Sequence, residues 1–75
     1  MAASTFTKRF AAALRRRRLE KNLSQEKLAE LAKLHPTYIS MVERGVRNPT
    51  LDVAAKLAKA LGLQLSKLIE EIERP

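Results

Sequence analysis

The chain has no cysteine and no tryptophan, and only one tyrosine and two phenylalanines. Without thiols there is no disulfide framework and no thiolate metal site, so the fold must stand on packing alone; a reducing compartment is compatible with this. So few aromatic rings offer no stacking platform for single-stranded RNA. No period-two alternation signals a strand, which leaves helices. No stretch approaches the roughly 18 apolar residues of a membrane span, so a membrane is not an expected partner. The opening MAASTFTKRF has some of the composition of a transit peptide but lacks the apolar run of a secretory signal, and Phe10 and Leu14 are needed for the first helix. With 75 residues, one domain over 1–75 and one core are expected, and a deep enzyme cleft is not. No nucleophile–base pair and no Gly-rich phosphate loop can be assembled, so neither an enzyme, nor a cofactor, nor a small-molecule ligand is expected.

What the chain has in excess is positive charge. Residues 1–50 carry eleven Lys/Arg against four Asp/Glu, whereas residues 51–75 carry four of each, so the whole formal charge of +7 lies in the first two thirds. A basic surface polarised in this way points to a polyanion, nucleic acid before lipid or acidic protein. The run Arg15–Arg18 cannot form one contact surface, because four successive helical residues point in four directions. Arg17 shares the stripe of Phe10 and Leu14 and is expected to lay its stem on the core.

Helical punctuation divides the chain into five segments. Helix 1 is expected from about Thr7 to Lys21, with a stripe of Phe6, Phe10, Ala13 and Leu14, Ser4 or Thr7 as its cap, and Asn22 at its end. Ser24 caps helix 2, whose inner face is Leu28, Leu31 and Ala32, ending near Lys33. Pro36 opens helix 3, where its missing N–H costs nothing, and Gly45 closes it after Arg44. Thr50 caps helix 4, with Val53, Ala54, Leu57, Ala58 and Leu61 at helical spacing up to Gly62. Ser66 caps helix 5, expected at about 66–73, which presents Leu68, Ile69 and Ile72.

Helix 3 has two faces. Rotating from Ile39, Val42 lies about 60° to one side and Glu43 about 40° to the other, which sets the core direction. Thr37, Arg44 and Met41 then fall at about 160°, 140° and 200°, and Ser40 at about 100°, on the outward side. Hydroxyls, a thioether and a guanidinium suit the major groove, where Arg forks onto guanine and apolar groups touch the thymine methyl. A short turn joining helices 2 and 3, flanked by basic sequence, describes a helix-turn-helix reader at about 24–44.

The segments LSQEKLA, YISMVERG and RNPTLD followed by LAKALG, within residues 23–63, are similar to the lambda-repressor-like, or XRE, helix-turn-helix family of bacterial and phage regulators. The resemblance covers nearly all of the chain from Phe10 to about Ile69. It implies an all-α, compact five-helix domain that binds double-stranded DNA as a homodimer, with helix 3 in the major groove. Two positions depart from the family pattern: Lys33 stands where a turn glycine is usual, and His35 where a small cap is usual. Either the turn is rearranged or Lys33 accepts a left-handed conformation.

On this basis Pro36, Thr37, Ser40, Met41, Arg44 and Arg47 form the base-facing set, Arg47 only if it reaches the groove. Gln25, in the first turn of helix 2, and His35, Tyr38 and Asn48 form the phosphate set. Tyr38 flanks core and groove and is equally suited to packing. His35 has no second ligand nearby for a metal. The resemblance pairs Glu43 with Arg18 across helices 1 and 3 as a buried bridge. Ile69, Ile72 and Leu65 on helix 5 are the expected dimer interface, since Leu68 with Leu65 fills the core and little core remains for the isoleucines. The functional expectation is a sequence-specific transcriptional regulator on a near-palindromic operator, of the restriction–modification controller or phage-repressor kind, with RNA polymerase as a further partner. Its expected place is the cytoplasm, on the nucleoid, in a bacterial or phage-encoded system. The alternative is an antitoxin that sequesters a protein partner.

Overall fold

The computed structural model describes residues 4–74. They form α1 (Thr5–Glu20), α2 (Gln25–Ala32), α3 (Pro36–Glu43), α4 (Leu51–Ala60) and α5 (Leu65–Glu73), with no strand among the described residues. Helix α3 packs on α1 and α2, α4 on α2 and α5, and α5 returns to α1. Leu14, Leu28, Ile39, Val42, Leu57, Leu61 and Leu68 are sealed at the centre, with Phe10 and Ile72 beside them. No described helix is long and apolar enough to cross a membrane.

Four of the five N-termini are capped by a side chain of the preceding residue, each satisfying a backbone N–H that the helix cannot. Ser4 Oγ accepts from Thr7 N–H at 3.1 Å, Ser24 Oγ from Lys27 N–H at 2.9 Å, and Thr50 Oγ1 from Val53 N–H at 3.1 Å. His35 supplies the fourth: its Nδ1 accepts from Thr37 N–H at 3.1 Å, with Pro36 occupying the first helical position. Because the cap is Ser4, α1 begins at Thr5, ahead of the Thr7 start expected from sequence. Helix α5 corrects a second boundary. It begins at Leu65 after Gln64, without any side-chain cap, and Ser66 lies inside its first turn. The half-buried Leu65 side chain, packed against the core, outweighs the capping preference of Ser66.

All four connections close in one way. The N–H of Leu23, Leu34, Val46 and Leu63 reaches back five residues to the carbonyl of Arg18, Ala29, Met41 and Ala58, at 3.1, 2.8, 3.1 and 2.8 Å. Each such closure places the intervening residue in the left-handed region: Asn22 (φ 57°), Lys33 (φ 58°), Gly45 (φ 74°) and Gly62 (φ 76°). Glycine and asparagine tolerate that conformation, whereas lysine does so at a steric cost. The turn is therefore regular and Lys33 carries the strain, which decides between the alternatives left open by the sequence.

Three apolar assignments change. Leu31 is exposed, and Ala29 takes its place beside Leu28 and Ala32 on the inner face of α2. Phe6 stands half out of the stripe it was assigned to, at 48% exposure. Ile72, expected to lack core to occupy, is 3% exposed within its own chain. The 16-residue α1 packs along α5. Ile72 is thus a core residue, and a charge there would be a folding lesion rather than a probe of self-association.

Lys33→Gly is expected to stabilise the fold by about 1 kcal/mol, relief of left-handed strain exceeding the added chain entropy. In thermal unfolding that is a rise of roughly 4–8 °C for a domain of this size. A lower melting temperature would show that Lys33 is not strained.

Candidate nucleic-acid interface

The orientation of α3 depends on a buried ion pair. Arg18, late in α1, donates from Nε to Glu43 Oε2 at 2.7 Å and from Nη2 to Glu43 Oε1 at 3.0 Å, a two-pronged contact between side chains 9% and 3% exposed. Its third prong, Nη1, donates to the Leu23 carbonyl at 2.8 Å, while the Leu23 N–H returns to the Arg18 carbonyl. Gln25 completes the set, its Nε2 donating to Glu43 Oε1 at 3.1 Å. One guanidinium thereby ties α1, the α1–α2 turn and the end of α3 together. No buried side-chain nitrogen or oxygen among the described residues lacks a partner. The hydrogen bond to Glu43 holds the Arg18 guanidinium above its ordinary value, against burial, which pulls the other way. A raised pKa on a cation means that its stabilisation is complete below the ordinary arginine range and lost only as pH climbs beyond it.

With Ile39, Val42 and Glu43 turned inward, the opposite side of α3 faces out. Thr37 and Arg44 are exposed, and Pro36, Ser40 and Met41 are half-buried at the margin. Arg44 currently lies along the helix, its Nε 3.4 Å from the Ser40 carbonyl, a long contact that another acceptor can replace. Arg47 and Asn48 are exposed in the turn after α3. The Gln25–Glu43 contact ties the start of α2 to the end of α3.

The four phosphate candidates differ in how free they are. Gln25 is half-buried and has committed one amide hydrogen to Glu43, which leaves its second for an outside acceptor. His35 is exposed; because Nδ1 accepts the Thr37 N–H, the ring proton is assigned to Nε2, which is then an outward donor. Tyr38 is half-buried with its ring against the core. Asn48 accepts the Thr7 hydroxyl at 2.6 Å through Oδ1, which directs its NH₂ elsewhere.

The Arg17 head group has a partner that the sequence did not announce. Its Nε and Nη2 both donate to Glu71 Oε2, at 2.9 and 2.6 Å, and Arg16 pairs with the other oxygen of the same carboxylate. Two members of the basic run are therefore spent on fastening α5 to α1. The pairing is foreshadowed only by the clustering of acids in α5, and neither it nor the Thr7–Asn48 and Gln25–Glu43 bonds follow from local sequence. No group of three or more potential metal ligands occurs among the described residues.

A two-helix unit with a short regular turn, a rigidly rotated second helix and basic flanks defines a helix-turn-helix protein. A model of the helix-turn-helix family matches residues 14–68, and the chain belongs to that family. It is similar to the control protein C.BamHI of Bacillus amyloliquefaciens, with 52% identity over 62 residues that span 81% of this chain and 76% of the relative. Among solved structures it resembles the restriction-modification controller protein C.AhdI of Aeromonas hydrophila, with a TM-score of 0.80 and 44% identity over 83% of this chain and 94% of that one. The controller protein C.Esp1396I, solved as a tetramer in complex with its natural 35 base-pair operator, matches with a TM-score of 0.82 and 33% identity, covering 95% of this chain and 99% of that one.

Glu43→Ala leaves a buried guanidinium unpaired and is expected to cost roughly 3–5 kcal/mol in denaturant unfolding. Replacing both partners, Arg18→Met with Glu43→Leu, is expected to recover most of that loss, since neither charge remains buried. A Glu43→Ala variant as stable as the parent would mean that the bridge does not hold the fold.

Proposed function

We propose that this protein is a sequence-specific, double-stranded DNA-binding transcriptional regulator of the restriction–modification controller type, working as a homodimer on a near-palindromic operator. The observation that carries this reading is the outward face of α3: Thr37, Ser40, Met41 and Arg44 are available because the Arg18–Glu43 bridge turns the other side in. Similarity to proteins named as controllers, one of them crystallised on its operator, favours that role over an antitoxin.

Each residue has a part set by its chemistry. Thr37, nearest the helix N-terminus, reads a base edge with its hydroxyl; Ser40 and Met41 contact a base edge and a thymine methyl; Arg44 releases the Ser40 carbonyl and forks onto guanine. Pro36 holds the first turn against the groove, and Arg47 approaches bases or backbone from the following turn. Gln25, His35, Tyr38 and Asn48 donate to phosphates and set the register. The residues 1–75 act as one DNA-binding unit, in the cytoplasm, without catalysis or cofactor, with RNA polymerase as the second macromolecular contact.

The homodimer follows from reach. The longest dimension of one copy is 28 Å, shorter than the roughly 34 Å between successive major grooves on one face of DNA. Two copies are needed to read two half-sites, joined through the exposed side of α5 around Ile69 and Leu65.

Duplexes selected from a random pool are expected to converge on two inverted half-sites about one helical turn apart. Affinity for the selected duplex should fall roughly 10³- to 10⁵-fold between 50 and 200 mM salt, the loss expected for six to ten phosphate contacts. Thr37→Ala should relax the preference at one base pair per half-site, and Gln25→Ala should weaken all duplexes alike. A pool that never converges would remove the sequence-specific reading.

A further inference from the structure

Two polar or charged residues are buried among the described residues, Arg18 and Thr7. Arg18 is accounted for by Glu43, whereas Thr7, 8% exposed in the first turn of α1, takes no part in that anchor. Its hydroxyl instead reaches a residue 41 positions away, donating to Asn48 Oδ1 at 2.6 Å in the exposed turn between α3 and α4. A second oxygen stands beside it, Ser4 Oγ at 2.8 Å.

Proton counting gives this chain a direction. Asn48 Oδ1 can only accept, so Thr7 spends its single hydroxyl proton there, and the bond between Ser4 and Thr7 takes its proton from Ser4. Ser4 Oγ in turn accepts the Thr7 N–H at 3.1 Å as the cap of α1. The three side chains therefore point one way, from the helix cap to the α3–α4 turn, and each bond polarises the next. At the far end the Asn48 carbonyl is held on Thr7, and its NH₂ is the terminal donor, with no hydrogen-bond partner among the described residues.

Resting on the DNA-binding reading above, we propose that Thr7 is a positioning residue for that contact: it fixes which end of the Asn48 amide faces a phosphate. The two ends of a primary amide are nearly equal in size and opposite in hydrogen-bonding sense, so an exposed asparagine left to itself presents either. A carbonyl turned to phosphate sets acceptor against acceptor, whereas NH₂ donates. Neighbouring Arg47 needs no such help, because every polar hydrogen of a guanidinium is a donor. A role for Thr7 in burial alone would be met by the Ser4 hydroxyl and would leave the Asn48 amide without a preferred end.

Binding of the full chain to the selected duplex tests this in a double-mutant cycle of Thr7→Val and Asn48→Ala, with thermal unfolding of each variant alongside. Valine keeps the branched shape and removes the hydroxyl, while Thr7→Ser restores the donor. Thr7→Val is expected to weaken binding roughly 3- to 10-fold for each copy bound, the range of one neutral hydrogen bond. Thr7→Ser should bind as the parent does, and Thr7→Val with Asn48→Ala should bind no worse than Asn48→Ala alone. Losses that add, or a Thr7→Val variant that melts earlier yet binds as the parent, would make Thr7 a structural residue only and overturn the proposal. Asn48→Asp carries the test should Thr7→Val fail to fold. Its carboxylate still accepts the Thr7 hydroxyl, so its second oxygen is held where NH₂ was, and it should bind worse than Asn48→Ala. An aspartate that binds as alanine does is free to swing away, which overturns the proposal. A parent chain that binds neither selected nor random duplexes removes the DNA-binding reading itself and this proposal with it, a result distinct from the others.

Discussion

A helix of eight residues held by two aliphatic side chains has a defined direction but little resistance to rotation. Ile39 and Val42 alone leave α3 in that condition, and Glu43 is the third anchor that removes it. Its carboxylate is gripped on both oxygens by Arg18 and touched by Gln25, so α3 cannot roll without stranding a charge in the core. Thr37 and Arg44 project outward as the other side of that constraint. A hydrophobic residue at 43 could contribute as much stability, yet it would slide where a two-pronged ion pair does not. Direction rather than strength is what the bridge supplies.

The same economy of charge recurs elsewhere. Of the four consecutive arginines, Arg18 sets the pitch of α3, while Arg16 and Arg17 clasp Glu71 and secure α5. A run that reads as a polyanion-binding patch is largely internal fastening. The molecule therefore separates the outward face of α3, proposed for DNA, from an ion-paired seam between α1 and α5 that keeps their relative placement fixed.

Most of the fold is legible in the residues because its punctuation is local. Ser24, Pro36, Thr50 and the left-handed closers Asn22, Gly45 and Gly62 act within one turn of where they stand, and the inward direction of Glu43 follows from 100° of rotation per residue. What local pattern cannot supply is the length of the neighbour. Ile72 looks surplus until the 16-residue α1 is seen packed on α5, and Phe6, near the start of α1, looks internal but stands half exposed. Leu31 looks internal by size, but the buried positions of α2 are Leu28, Ala29 and Ala32, and Leu31 stands half exposed. Ser66 loses its capping role to a burial preference at Leu65 that involves a distant helix. The outward placement of Thr37 and Arg44 was readable from rotation alone, whereas the partial commitment of Gln25 to Glu43 spans 18 residues and left no local trace.

The most direct test of the account is a backbone amide NMR titration of the full chain with the selected duplex. The account predicts that perturbation concentrates at Gln25, at Thr37 to Arg44 and at Arg47 and Asn48, while the outer face of α1 at Ala12, Arg15 and Leu19 stays unchanged. Perturbation centred on that outer face, with α3 silent, would show that the Arg18–Glu43 anchor orients no recognition surface and would contradict the account.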